Sequence, residues 1–238
     1  MSQIVEEIRR ELIANSDEQL RKSSQHFFKE EIRCYGIKSA TVVNIGKEHF
    51  KVIKNLPKAT IFDFCNELWQ SGIIEESFVA CRWSYAVCKK YMKEDLPVFE
   101  KWINNYVDNW ASCDTLCNHT VGEFVEMYPE TISELKQWAT STNRWMKRAS
   151  AVSLIIPARH GLFLKDIIEI ADILLMDNDD MVQKGYGWML KAASQAHERE
   201  IFEYVMSKKA VMPRTALRYA IEKMPTELKA KAMIKTTN

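Results

Sequence analysis

Turn-forming residues are scarce here: 7 Gly and 6 Pro in 238 residues leave few places for sharp chain reversals. No stretch alternates apolar and polar residues for long at a period of two, so no sheet is expected. No apolar run approaches the ~18 residues of a membrane span. The opening MSQIVEEIRRELIAN is acidic and amphipathic, unlike a secretion signal. The P-loop, the GxGxxG turn and the GxSxG elbow are all missing, which removes the common NTPase, dinucleotide and hydrolase readings. A formal net charge of +1 excludes a histone-like polycation. These absences point to a soluble, cytoplasmic, helical protein.

What is present agrees with that expectation. A hydrophobic content of 47% is ordinary for a globular chain, and the six Cys sit mostly in helical apolar patterns, which favours reduced thiols. Residues 4–13 carry Ile4, Val5, Ile8, Leu12 and Ile13 at helical spacing. A second helix is expected over 18–33 with Phe27 and Phe28, then a turn at Gly36 and a helix capped by Ser39 or Thr41. Paired helices follow: 59–71 with 75–92, 96–104 leading into one helix over 108–128, and 131–140 with 143–156, bounded by Pro157. Helices over 162–175 and 179–196 flank the acidic turn DNDD, and 198–207, 213–223 and 225–235 complete the chain. Pro213 and Pro225 suit first-turn positions.

The pairs recur every ~35–40 residues, the spacing of HEAT-type arrays. The expected fold is therefore all-α: a superhelical array of antiparallel helix pairs, an α-solenoid, with a concave basic face. A plain helical bundle is the structural alternative. No Pro-, Gly- or Ser-rich linker divides the chain, so one domain over 1–238 is expected. Trp69, Trp83 and Trp138 fall at core spacing.

Charge is distributed unevenly. Residues 144–238 hold 16 Lys+Arg against 11 Asp+Glu, a net of +5, whereas the first 143 hold 17 against 21, a net of −4. Arg144, Lys147 and Arg148, at i, i+3 and i+4, form a basic stripe beside Trp145. Lys184, Trp188 and Lys191 share one side of a helix containing Gly185 and Gly187. A helix-interior glycine costs about 1 kcal/mol, so two of them signal close packing or approach to a ligand. Cations beside an aromatic suit phosphate and nucleotide contact, although charged runs are more often simply solvated faces.

In NYVDNWASCDTLCNH, Trp110 and Asp114 lie four apart and share one helix face. An aromatic plane beside a carboxylate suits a cationic or base-like group; a buried Trp near a surface acid is the bland reading. Cys113, Cys117 and His119 lack the second ligand pair of a zinc site, so no metal is expected. His26, His49, His160 and His197 are scattered, with no partnered acid and nucleophile.

With WASCD, WMKRAS and GYGWMLK in that order on a helical chain, and CYGIKS upstream, the sequence resembles the bacterial and archaeal DNA alkylation repair enzymes of the AlkD type. The resemblance spans most of the chain. It implies HEAT-like repeats and a glycosylase that hydrolyses the N-glycosidic bond of cationic N3- or N7-alkylated purines, such as 3-methyladenine and 7-methylguanine. Action would be on double-stranded DNA, without drawing the base into a deep pocket. By the same resemblance Asp114 is the catalytic carboxylate, Trp110 and Trp188 its aromatic partners, and Arg148 the backbone contact. Lys191 stands where similar members often carry Arg. With Arg144, Lys147 and Lys184, these residues make up the expected DNA-binding set. No cofactor and no membrane are implied; a monomer associated with the nucleoid through DNA is. The alternative is a non-catalytic DNA-binding or protein-interaction scaffold of the same fold.

Overall fold

A computed structural model describes residues 2–234, and these are helical with no strand among them; an isolated bridge pairs Arg33 with Ile73. The all-α expectation holds. Contacts divide the chain into two compact units, Met1–Leu116 and Cys117–Asn238. The first contains α1 (Gln3–Ala14), α2 (Glu18–Ser24), α3 (Ser39–Ile53), α4 (Lys58–Trp69), α5 (Ile74–Ala86), α6 (Leu96–Tyr106) and α7 (Trp110–Thr115). The second contains α8 (Gly122–Met127), α9 (Ile132–Ala139), α10 (Arg144–Val152), α11 (Ile155–Arg159), α12 (Leu164–Leu174), α13 (Asp180–Ala193), α14 (Glu198–Lys208), α15 (Arg214–Ala220) and α16 (Thr226–Met233).

In the first unit α5 is the packing centre, against α3, α4 and α7. Its Trp83 is fully buried and satisfies its indole N–H on the Gly46 carbonyl at 2.8 Å. Phe62, Tyr91, Phe99 and Trp102 close the core with edge-on contacts at 5.3–5.7 Å between ring centres, the geometry that the ring quadrupole favours. In the second unit α13 is central, packed on α10, α11, α12 and α15. Trp69, Trp83 and Trp138 are all buried, as their spacing predicts.

Four expected boundaries are corrected. The helix expected over 18–33 ends at Ser24, runs on as a 3₁₀ turn over Gln25–Phe27 and then leaves helical geometry. The Gln25 side chain draws the following loop inwards, donating to the Glu30 carbonyl at 2.7 Å and accepting from the Ile32 N–H at 3.0 Å. The next helix is capped by neither Ser39 nor Thr41: it starts at Ser39 with Lys38 at the N-cap and no side-chain cap. The single helix expected over 108–128 is three segments: α7, a π-helix over Leu116–Val121, and α8. Pro157 lies inside the first turn of α11, where its missing N–H costs nothing; the break falls earlier, at Ser153 and Leu154. Pro213 and Pro225 take the N-cap positions of α15 and α16. The expected end of the last helix, at 235, lies outside the described residues.

Gly36 adopts φ +79°, a left-handed geometry that disfavours any β-carbon, and its turn is held by a buried carboxylate. Glu75, at the start of α5, accepts the N–H groups of Tyr35 at 3.0 Å, Gly36 at 2.9 Å and Ile37 at 3.1 Å. A β-carbon on Gly36 would lie 2.3 Å from the Asp17 carbonyl oxygen. Gly36→Ala is therefore expected to cost at least about 2 kcal/mol, a fall of roughly 5–10 °C in Tm, read by thermal unfolding.

Candidate functional site

The start of α7 is built from short polar side chains. Asn109, almost fully buried, caps the helix by accepting the Ser112 N–H at 2.9 Å. Its amide donates to Asp108 at 2.7 Å and to the Ser112 hydroxyl at 3.2 Å. Ser112 in turn bonds Ser77 of α5 across 2.7 Å. These contacts fix α7 on the core helix, bury Ser112 and Cys113, and leave Trp110 and Asp114 half-exposed on the other side. The shared face of Trp110 and Asp114 is as their spacing predicts. The π-helix begins two residues after Asp114; such segments add a residue to a turn and are frequent at functional sites.

Trp110 has a neighbour that spacing along its own helix could not reveal. Phe28 stacks on it with ring centres 5.3 Å apart and planes at 21°, while the Trp110 indole N–H points to the Phe27 carbonyl at 3.3 Å. Residues 27 and 28 arrive there because α2 ends early.

The other expected residues belong to the second unit, and its geometry brings several of them together around the 177–180 turn. Arg144 makes a two-pronged pair with Asp179, at 2.8 and 2.9 Å, and its guanidinium lies 5.0 Å from the Trp145 ring centre. Lys147 pairs with Asp177 at 2.6 Å and Lys184 with Asp180 at 3.1 Å. Lys191, further along α13, pairs with Glu222 at 3.0 Å and lies 5.6 Å from the Tyr219 ring centre. Each of these four cations is thus locally compensated by a carboxylate of the same segment, and the net +5 is carried by its other cations. The DNDD turn, read from the sequence as a connector, supplies three of the four carboxylates.

Arg148 differs from these four. It is only 5% exposed, threaded beneath α13, and donates to the Met181 carbonyl at 2.5 Å. Gly185 makes the room: a β-carbon there would lie 3.3 Å from Arg148 Cγ. At Gly187 a β-carbon would lie 2.7 Å from that of Tyr219, so the second glycine serves the packing of α15. Trp188, between them and Lys191, is half-buried.

Cys113 and Cys117 are fully buried and pack in the interior. Among the described residues no three His, Cys, Asp or Glu gather as metal ligands would. Desolvation lowers the pKa of the His119 imidazole from its ordinary value. Residues missed in the sequence were Asn109 and Ser112, whose N-x-x-S spacing is a legible cap signal, and Phe28, Ser77 and Glu75, which are brought in only by tertiary contacts.

Helix pairs packed without a sheet define an all-helical class of protein, and the arrangement has a solved counterpart. The chain superposes on a "Predicted DNA alkylation repair enzyme" from Enterococcus faecalis with a TM-score of 0.80, covering 89% of this chain and 98% of that one. At 15% identity that likeness speaks for the fold alone. The family model described as DNA alkylation repair enzyme matches residues 8–224, and this chain belongs to that family. Comparison with curated proteins gives no match.

The burial of Arg148 makes a prediction independent of any ligand. Arg148→Ala removes a charged donor from a buried carbonyl and leaves a cavity beneath α13. The expected loss is about 2–4 kcal/mol, or roughly 5–15 °C in Tm, read by thermal unfolding without DNA.

Proposed function

We propose that this protein is a DNA glycosylase that releases N3- and N7-alkylated purines from double-stranded DNA, as the first step of base excision repair. The observation that carries the reading is the pairing of Trp110 with Asp114, one turn apart and both accessible, on a helix whose opposite side is fixed by Asn109, Ser112 and Ser77. Membership of the DNA alkylation repair family supplies the chemistry to which that pair is suited.

An N-alkylated purine carries a positive charge and leaves readily, so the reaction needs little acid catalysis. As the N-glycosidic bond lengthens, its electron pair goes to the departing base and positive charge grows on the deoxyribose. The Asp114 carboxylate stabilises that charge and orients the attacking water, whose oxygen bonds to the anomeric carbon as its extra proton passes to solvent water. Trp110 presents an aromatic face to the cationic sugar, and Trp188 provides a further aromatic face to the DNA. Phosphates are engaged by Arg144, Lys147, Lys184 and Lys191, with Arg148 acting through the small part of its surface that α13 leaves accessible. Backbone contacts of this kind set register without reading sequence. The protein acts as a monomer, without deep base flipping.

The compensated cations favour one alternative, a non-catalytic scaffold of the same fold, because each phosphate contact must displace a carboxylate. Incubation with methylated duplex DNA separates the two: free alkylpurine supports the glycosylase, and binding without release supports the scaffold.

Asp114→Asn keeps the size of the side chain and removes its charge. It is expected to lower 7-methylguanine release by about 100- to 1000-fold with DNA affinity retained; unchanged release would sink the mechanism. The double substitution Asp177→Asn, Asp179→Asn frees Lys147 and Arg144 while keeping the capping oxygens. Duplex affinity at low salt is expected to rise several-fold, and the slope of log affinity against log salt to steepen by up to about 2. Titration at several salt concentrations reads both.

A further inference from the structure

We infer that Phe28 is a positioning residue for Trp110, and that the loop carrying it, held by Gln25 and Glu75, is part of the catalytic apparatus. This rests on the glycosylase reading and deepens it. Trp110 is the first residue of a six-residue helix and is half-exposed, and its stacking and hydrogen-bond partners lie on residues 28 and 27, outside α7. Phe28 occupies one face, with ring planes inclined by only 21°. The Phe27 carbonyl holds the indole edge through the N–H at 3.3 Å. One face of the indole is thereby covered, while the side chain keeps part of its surface exposed.

The supporting loop is anchored at several points. Gln25 makes two hydrogen bonds to the backbone of residues 30 and 32. The Arg33 carbonyl accepts the Ile74 N–H at 2.9 Å. The Glu75 carboxylate then holds three successive N–H groups at 35–37. Both anchors on the core side belong to the start of α5, and Ser77 of the same turn fixes α7 through Ser112. One turn of α5 therefore sets the position of both partners of the stack. Phe28 and Trp110 are both half-exposed, and the irregular backbone that delivers Phe28 is ordered at an entropic cost of roughly 1–2 kcal/mol per residue. Placement errors near 1 Å at a reacting centre cost on the order of 100-fold, which sets the ceiling for losing this support.

The test uses the full chain labelled with 5-fluorotryptophan, its Trp110 resonance assigned by the loss of that signal in Trp110→Phe. In Phe28→Ala the Trp110 resonance is expected to shift. The kcat for 7-methylguanine release should fall about 10-fold with KM within about 3-fold, and Phe28→Tyr should restore both. Thermal unfolding checks that the variants are folded. Wild-type kcat in Phe28→Ala, or an unmoved Trp110 resonance, overturns the inference. If wild-type protein releases no alkylpurine, the glycosylase reading fails, and the catalytic part of this inference fails with it. The resonance would then still report whether Phe28 orients Trp110.

Discussion

The Glu75 carboxylate is buried at the start of α5 and accepts three consecutive backbone N–H groups from the Tyr35–Ile37 turn. A buried carboxylate demands such partners, and a loop without secondary structure has N–H groups in need of acceptors. Each side thus resolves the other's desolvation cost. The next residue, Glu76, is fully buried as well, with Arg9 of α1 on both its oxygens at 2.7 and 2.8 Å and the Tyr35 hydroxyl at 2.6 Å. Two adjacent acids therefore tie α1 and the 35–37 turn to α5. The same helix turn carries Ser77, which fixes α7. Much of the first unit's functional geometry follows from this one helix start.

Conformational freedom in the second unit is limited by close approach instead. Gly187 lets α15 pack on α13, and Gly185 lets Arg148 pass beneath it. A large cation placed under a helix gives the Met181 carbonyl, in the first turn of α13, a charged donor and ties α10 to α13. The lysines and Arg144 around it are held by acids of the 177–180 turn and by Glu222. Their positions are well defined while their net field is small. Any polyanion that engages these cations must compete with these acids, so in the proposed function affinity for DNA would depend on exchanging carboxylate partners for phosphates and on ionic strength.

In the proposed function, Trp110 and Asp114 connect the constraints of the first unit to chemistry. Their spacing puts both on one helical face, the Asn109 cap fixes where that helix begins, and the π-helix beyond it changes the turn immediately after the acid. A carboxylate that stabilises growing positive charge must be placed before the charge develops, because reorganisation during the reaction would consume the benefit. In the proposed mechanism, the polar contacts beneath α7 and the Phe28 stack above Trp110 serve that requirement from two directions.

The sequence by itself determined the helical class, the approximate places of most helices, the buried tryptophans, the shared face of Trp110 and Asp114, and a resemblance that agrees with the family. These follow from local physics: periodicity, capping and the scarcity of Gly and Pro act over a few residues and can be read along the chain. It did not determine the early end of α2, because that depends on Gln25 folding back and on Ile74, forty-one residues away from Arg33. The π-helix was equally hidden, since its residues are as compatible with an α-helix. The ion pairing of Arg144, Lys147, Lys184 and Lys191, the burial of Arg148 and the stack of Phe28 on Trp110 were decided only by the tertiary structure. Each joins groups far apart in the chain, and a charge or a ring shows no partner until the fold supplies one.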